Sequence, residues 1–236
     1  MRFAAIETAT EWCSVALWHD GEIAALEARA GNRHAERVLP MLEQLIAQAG
    51  GSIAQLEAIA FGAGPGSFTG LRIGCGVVQG IAFARDLPVL GVSTLEAMAD
   101  ESGASRVIVA LDARMGEVYY AAYVLEDGRW LEVIAPMCVA PERVPRPQGI
   151  DWTGCGNGFA VYGAALETAL LGALRCGVSQ VRTSAIAVAR LAAPRFAAGE
   201  GVDAVLAAPV YLRDKVALTT DEQQRLKRKN GPDGLR

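Results

Sequence analysis

Two carboxylates, Glu7 and Asp112, each close a short apolar run, Phe3–Glu7 and Val107–Asp112. Brought together across a cleft, they have the chemistry to hold a metal–phosphate or to act as acid and base. As separate strand-end residues they need only accept loop N–H groups. Both readings stay open. A second chemical candidate is the string Gly64-Pro65-Gly66-Ser67-Phe68-Thr69-Gly70-Leu71-Arg72-Ile73-Gly74. It lies between the apolar run Ala58–Phe61 and the helix-like run Arg72–Arg85, so the order is strand, glycine loop, helix. The glycines admit positive φ or close approach, Pro65 fixes one φ, and Ser67 or Thr69 can cap the helix. Free N–H groups at such a helix start suit an anion. A tight structural turn has the same shape.

Several familiar chemistries are excluded. A P-loop needs Lys after its last glycine, and Leu71 follows Gly70. The dinucleotide pattern G-x-G-x-x-G fails at Thr69 and again at Gln79. Ser67 lacks the G-x-S-x-G setting of a nucleophile elbow, and only His19 and His34 are available as bases. No H-E-x-x-H occurs, and one imidazole cannot make a zinc site, so His34 is expected at the surface or at a helix cap. Arg114, beside Asp112 and Glu117, reads as a neutralising ion pair or a ligand clamp. Arg225, Lys227, Arg228 and Lys229 form a basic tail segment with RNA contact as its alternative to plain solvation.

Composition narrows the partners. The 236 residues carry 22 basic and 26 acidic side chains, a net charge of −4. A chain that held nucleic acid by itself would need a basic surface, so any such contact is expected to be local or to belong to a partner. Five widely spaced cysteines without C-x-x-C argue against a disulfide framework and against a zinc site. The longest uncharged stretch, Trp152–Leu166, is too short to span a membrane, and Glu7 interrupts the apolar N-terminus. The expected location is the cytoplasm, with no membrane contact.

The elements that must position these residues come twice. Phe3–Glu7 and Trp12–His19 read as strands, Asp20-Gly21 as a hairpin turn and Glu22–Arg29 as the return strand. Val107–Leu111, Val118–Leu125, Asp127-Gly128 and Trp130–Val139 repeat the pattern at nearly the same interval, which implies an internal duplication. After the first copy come a helix over Arg33–Ala49, which Pro40 is expected either to kink or to start, strand Ala58–Phe61, the glycine loop and its helix. Strand Val89–Val92 and a helix from Ser93 or Thr94 follow. After the second copy, Pro141, Pro145 and Pro147 mark an irregular connection. A strand over Ile150–Thr153, helices over Phe159–Leu170 and Ala185–Ala197 and a short strand Val210–Leu212 are expected beyond it. The polar tail from Thr219 is expected to be disordered.

As a string, Gly64–Gly74 resembles the signature of the TsaB (YeaZ) family, because it also matches at Phe68, Leu71, Arg72 and Ile73. Asp112–Tyr119 resembles a second motif of that family and Pro209–Arg213 a third. The resemblance runs to about Leu218. It implies an α/β, two-lobed fold of the actin–hexokinase–Hsp70 kind, with lobes over residues 1–104 and 105–218 and a tail over 219–236. A C-terminal helix from 183–198 would complete the first lobe. The loops Glu7–Thr10 and Asp112–Gly116 would face each other across a cleft. Glu7, Thr8, Gly64, Gly66, Ser67, Asp112 and Arg114 are thus the expected cleft residues. Phosphotransferases of that superfamily carry Asp where Glu7 stands, and the catalytic TsaD-type paralogue binds metal through H-x-x-x-H, whereas Val38 stands four residues after His34. The implied role is a non-catalytic scaffold without cofactor or metal. It would serve a complex that transfers a threonylcarbamoyl group to N6 of adenosine 37 in tRNAs reading A-starting codons. Implied partners are the TsaD-type transferase subunit, as a heterodimer, and a TsaE-type ATPase subunit. Contact with tRNA would be indirect, and the chain alone would form a homodimer. The expected partner surface is Leu42, Ile46, Arg72, Val77 and Ile81, on the two helices of the first lobe. The competing reading is an ATP-dependent enzyme or glycoprotease-like hydrolase using Glu7 and Asp112.

Overall fold

The computed structural model describes residues 1–179 and 181–213. The tail over 219–236, its basic segment and the end of the second expected lobe lie outside the described residues.

Three antiparallel strands open the chain: β1 (Arg2–Glu7), β2 (Trp12–His19) and β3 (Glu22–Arg29). Helix α1 (His34–Gln48), strand β4 (Ala58–Gly64), helix α2 (Phe68–Arg85), strand β5 (Val89–Ser93) and helix α3 (Thr94–Glu101) follow. A second meander of β6 (Arg106–Arg114), β7 (Glu117–Glu126) and β8 (Arg129–Val139) leads to β9 (Trp152–Cys155), α4 (Gly158–Ala169), β10 (Leu174–Ser179) and α5 (Ala185–Ala197). The first sheet has the order β3-β2-β1-β4-β5 and the second, read from the equivalent edge, β8-β7-β6-β9-β10. Each is a meander extended by two parallel strands. The Asp-Gly turns form in both copies, with Asp20 and Asp127 at φ 49° and their glycines at φ 98° and 73°, the left-handed pair that a two-residue hairpin requires.

Both faces of both sheets are covered, so the central strands are apolar on both sides. Ala4 and Ile6 face α1 and α2 with Val38, Leu42, Cys75 and Val78. Phe3 and Ala5 face α5 with Ala185, Val188 and Ala192. In the second sheet Ile108 and Ala110 face α4 with Phe159 and Leu166, and Val107 and Val109 face α3 with Leu95 and Met98. The closing helices are therefore exchanged: α3 lies on the second sheet and α5 on the first. Ion pairs Arg195–Glu96 and Arg190–Asp100 join them.

Local differences from the sequence reading have physical causes. Helix α2 begins at Phe68, four residues ahead of the apolar run, because Ser67 caps it by accepting the Gly70 N–H at 3.2 Å. Helix α1 runs from His34 through Pro40, which lies on its exposed face, so the carbonyl it leaves without a helical donor is not sealed in the core. Ser93, not Thr94, caps α3; Ser93 and Glu96 have the capping-box spacing, but Glu96 turns to Arg195. Strand β9 starts at Trp152, since Asp151 is left-handed at φ 65°. Strand β10 has no alternating signature, because Arg175 and Gly177 interrupt it. The expected strand Val210–Leu212 does not form. One bond from the Val210 N–H to the Ala63 carbonyl, at 2.7 Å, holds it beside β4 instead.

Candidate functional site

A cleft of about 650 Å³ opens between the lobes. Its walls are the loop after β1, the start of α2, the tip of the β6–β7 hairpin and Asn157, with the segment Val210–Arg213 at its rim. Gly66, Ser67, Asp112 and Arg114 border it; Glu7, Thr8 and Gly64 do not.

Glu7 is 1% exposed and lies on the face of β1 that carries Phe3 and Ala5. Its Oε1 accepts the Ala9 N–H at 2.6 Å and its Oε2 the Thr183 hydroxyl at 3.0 Å. Burial pushes the carboxyl up to about 7, against the pull of those bonds. Gly62 makes room for it, as a Cβ there would stand 2.0 Å from Oε2. Thr8 points to the opposite face and donates from Oγ1 to the Gly70 carbonyl at 2.8 Å.

Asp112 is bound differently. Its Oδ1 accepts the Arg114 N–H at 2.8 Å and the Tyr162 hydroxyl at 3.1 Å, and its Oδ2 pairs with Arg114 Nη1 at 3.2 Å. Its own N–H donates to Asn157 Oδ1 at 2.8 Å. Arg114 is thus an ion-pair partner. The two carboxylates are not brought together as an acid–base pair: one is sealed beneath α5, the other stands at the cleft edge.

The glycine string is largely a packing device. A Cβ at Gly66 would lie 2.5 Å from the Ala9 carbonyl oxygen, at Gly70 2.0 Å from that of Thr8, and at Gly74 2.4 Å from Thr8 Oγ1. The Ser67 N–H donates to the Ala9 carbonyl at 2.7 Å. Gly64, at φ 112°, lets the Val210 carbonyl approach. Gly70 and Gly74 therefore admit the chain's own first loop, not a foreign helix. Gly76 and Gly80 alone among the α2 glycines face open space.

On the outer face of α1 and α2 lies a groove of about 450 Å³ lined by Leu39, Arg72, Val77, Ile81, Gly76 and Gly80, among others. Arg72, Val77 and Ile81, three of the residues proposed for a partner surface, line it. Leu42 and Ile46 do not: they are 0% and 4% exposed and pack inward with Val38 and Leu45, because the apolar stripe of α1 covers its own sheet. His34 is also buried, with Nε2 3.2 Å from the Trp12 carbonyl, so it fastens the start of α1 to β2. The four described cysteines are free, and burial pushes Cys13 up to about 11 and Cys155 up to about 12. Among the described residues no three His, Cys, Asp or Glu side chains are grouped to hold a metal ion, and no helix is long and apolar enough to cross a membrane.

Three site residues escaped the sequence reading. Thr183 lies too far along the chain from Glu7 for any local pattern to link them. Asn157 was visible only as the polar member of a glycine run. Tyr211, whose ring packs at a tilt against Phe68 with centroids 5.6 Å apart and which accepts a bond from Arg72 Nε at 3.0 Å, had only its motif as a signal.

Two sheets of one topology, closed by exchanged helices around a cleft, have the layout of an actin–hexokinase–Hsp70-like fold. Residues 28–219 match a family model described as TsaD, tRNA N6-adenosine threonylcarbamoyltransferase. The tRNA threonylcarbamoyladenosine biosynthesis protein TsaB of Escherichia coli K12 is 41% identical over 92% of this chain and 96% of that relative. The Haemophilus influenzae protein of the same name is 36% identical over 90% and 93%. The solved structure of YeaZ from Pseudomonas aeruginosa superposes with a TM-score of 0.82 at 42% identity, covering 89% of this chain and 99% of that one. The chain belongs to the TsaB family.

Proposed function

We propose that this chain is a non-catalytic scaffold subunit in the biosynthesis of tRNA threonylcarbamoyladenosine. It holds a TsaD-type transferase subunit in working geometry while threonylcarbamoyl is transferred to N6 of adenosine 37. The observation that carries the reading is the α1–α2 groove, an apolar surface floored by Gly76 and Gly80 where the helices of a partner can approach closely. Val77 and Ile81 are its apolar anchors and Arg72 its charged rim. The buried Glu7, with both oxygens engaged, supports a scaffold over the ATP-dependent or hydrolytic alternative, which needs that carboxylate in the cleft. A TsaE-type ATPase subunit joins the pair, tRNA is held mainly by the partners, and the work is done in the cytoplasm. The free chain pairs with a second copy through the same groove.

The test is reconstitution with the transferase, the ATPase subunit, threonylcarbamoyl-adenylate and unmodified tRNA. Omitting this chain should abolish modification, and Ile81→Glu or Val77→Glu should weaken association at least a hundredfold while circular dichroism stays native. Full-rate modification without the chain would overturn the role; normal association by both folded variants would overturn the surface.

A further inference from the structure

The segment after α5 touches both lobes. On the first lobe, the Ala207 carbonyl accepts bonds from Gln79 Nε2 at 2.9 Å and from the Cys75 thiol at 3.4 Å. The Val210 N–H donates to the Ala63 carbonyl of β4 at 2.7 Å. Tyr211 accepts from Arg72, whose guanidinium also lies 3.8 Å above the Phe68 ring. Two residues on, Arg213 reaches the second lobe. Its Nη1 donates to the Ala113 carbonyl at 3.0 Å, its Nη2 donates to the Arg114 carbonyl at 3.2 Å, and the same fork pairs with the Glu117 carboxylate.

The turn that Arg213 grips is an unfavourable one. Arg114 and Met115 are consecutive non-glycine residues in the left-handed region, at φ 63° and 58°, before Gly116 at φ 78°. L-residues resist that conformation, so it persists only where surrounding contacts dictate it. A planar guanidinium that binds two carbonyls and a carboxylate at once is such a contact, and a lysine cannot reproduce its geometry. The Arg213 side chain is only 16% exposed, so water competes weakly for those bonds. The chain itself crosses between the lobes between β5 and α3 and again between β10 and α5.

We propose that residues 207–213 are an interlobe clamp. Ala207, Val210 and Tyr211 fasten it to β4 and α2, and Arg213 fastens it to the β6–β7 turn. It is a third crossing, made by side chains, which fixes the opening of the cleft and the shape of its second wall. Two conditions set it: Gly64 must lack a Cβ for the Val210 carbonyl to approach, and Arg213 must keep its fork. Because Arg72 also lines the α1–α2 groove, the lobe-1 anchor of the clamp sits beside that surface.

Amide hydrogen exchange on the full chain tests this from both ends. Arg213→Ala should speed exchange at least tenfold in residues 113–118 and also at the Val210 N–H, on the other lobe. Tyr211→Ala should do the reciprocal, speeding exchange in 113–118 across the cleft, while β1 and β2 stay protected in both. Arg213→Lys should fall between wild type and Arg213→Ala. If Arg213→Ala unfolds the chain, Glu117→Gln, which keeps side-chain size, replaces it and should loosen the same two places by a smaller factor. Exchange at 113–118 that is unchanged by Tyr211→Ala would reduce Arg213 to a local turn contact and overturn the clamp.

Discussion

The loop after β1 and the loop after β6 occupy equivalent places in two sheets of the same topology, yet they treat their carboxylates in opposite ways. Glu7 shares a face with Phe3 and Ala5, toward α5. Asp112 shares a face with Ile108 and Ala110, toward α4. The helix that follows the fourth strand of each lobe lies on the Ala4–Ile6 face in the first and on the Ile108–Ala110 face in the second. Glu7 and Asp112 therefore stand on non-equivalent faces, and it is Thr8 that shares the face which Asp112 has in the second lobe. Side chains alternate along a strand, so one position decides between cleft edge and sealed interior. Two acids at matching intervals in the sequence are thus not two acids in one site.

The largest effect expected on this contrast comes from α2. Gly70→Ala sets a methyl against the Thr8 backbone carbonyl, which cannot swing aside; a loss of about 3 kcal/mol or more is expected, read as a shift in the urea midpoint. Glu7→Gln should come next, through pH. The Glu7 carboxyl titrates near about 4.3 in the unfolded chain and at about 7 in the folded one. The folded form therefore holds its proton more tightly. That stability is fully present below about pH 4.3 and is lost as pH rises to about 7, a fall of roughly 3–4 kcal/mol. Chemical denaturation from pH 4 to 8 should show wild type losing stability relative to Glu7→Gln across that window; parallel curves would mean that Glu7 is hydrated.

Asp112→Ala should cost only about 1 kcal/mol. Its Arg114 partner is 85% exposed, and water replaces most of what is lost. A thermal shift of roughly 3 °C is the corresponding reading. Gly76→Ala is the smallest change and has the opposite sign. With open space around that position and ordinary helical φ, it should stabilise α2 by about 0.5–1 kcal/mol, while the added methyl crowds the groove and weakens partner association in a pull-down titration.

The duplicated meanders, both Asp-Gly turns and the helix after the glycine loop were legible in the sequence, because alternation, turn chemistry and capping are local signals. The family was legible as well, from Phe68, Leu71 and Arg72 among glycines. Face assignment was not: an apolar β1 buried on both sides offers no contrast by which Glu7 could be told from a cleft residue. Leu42 and Ile46 belong to a stripe whose apolar character is the same whether it meets its own sheet or a partner. Arg213 and Thr183 act on residues about a hundred or more positions away, beyond the reach of any spacing rule.

The exchange of α3 and α5 has a consequence for synthesis. The face of the first sheet formed by Phe3, Ala5, Ala16, Ala58 and Ala60 waits for α5, whose last residue is Ala197. At a translation rate of about 5–20 residues per second, that oily surface stands uncovered for roughly 5–20 s after β5 has emerged from the ribosome. Until then the first half of the chain is a client for a holding chaperone, and an expression clone ending near residue 104 would yield inclusion bodies rather than a lobe.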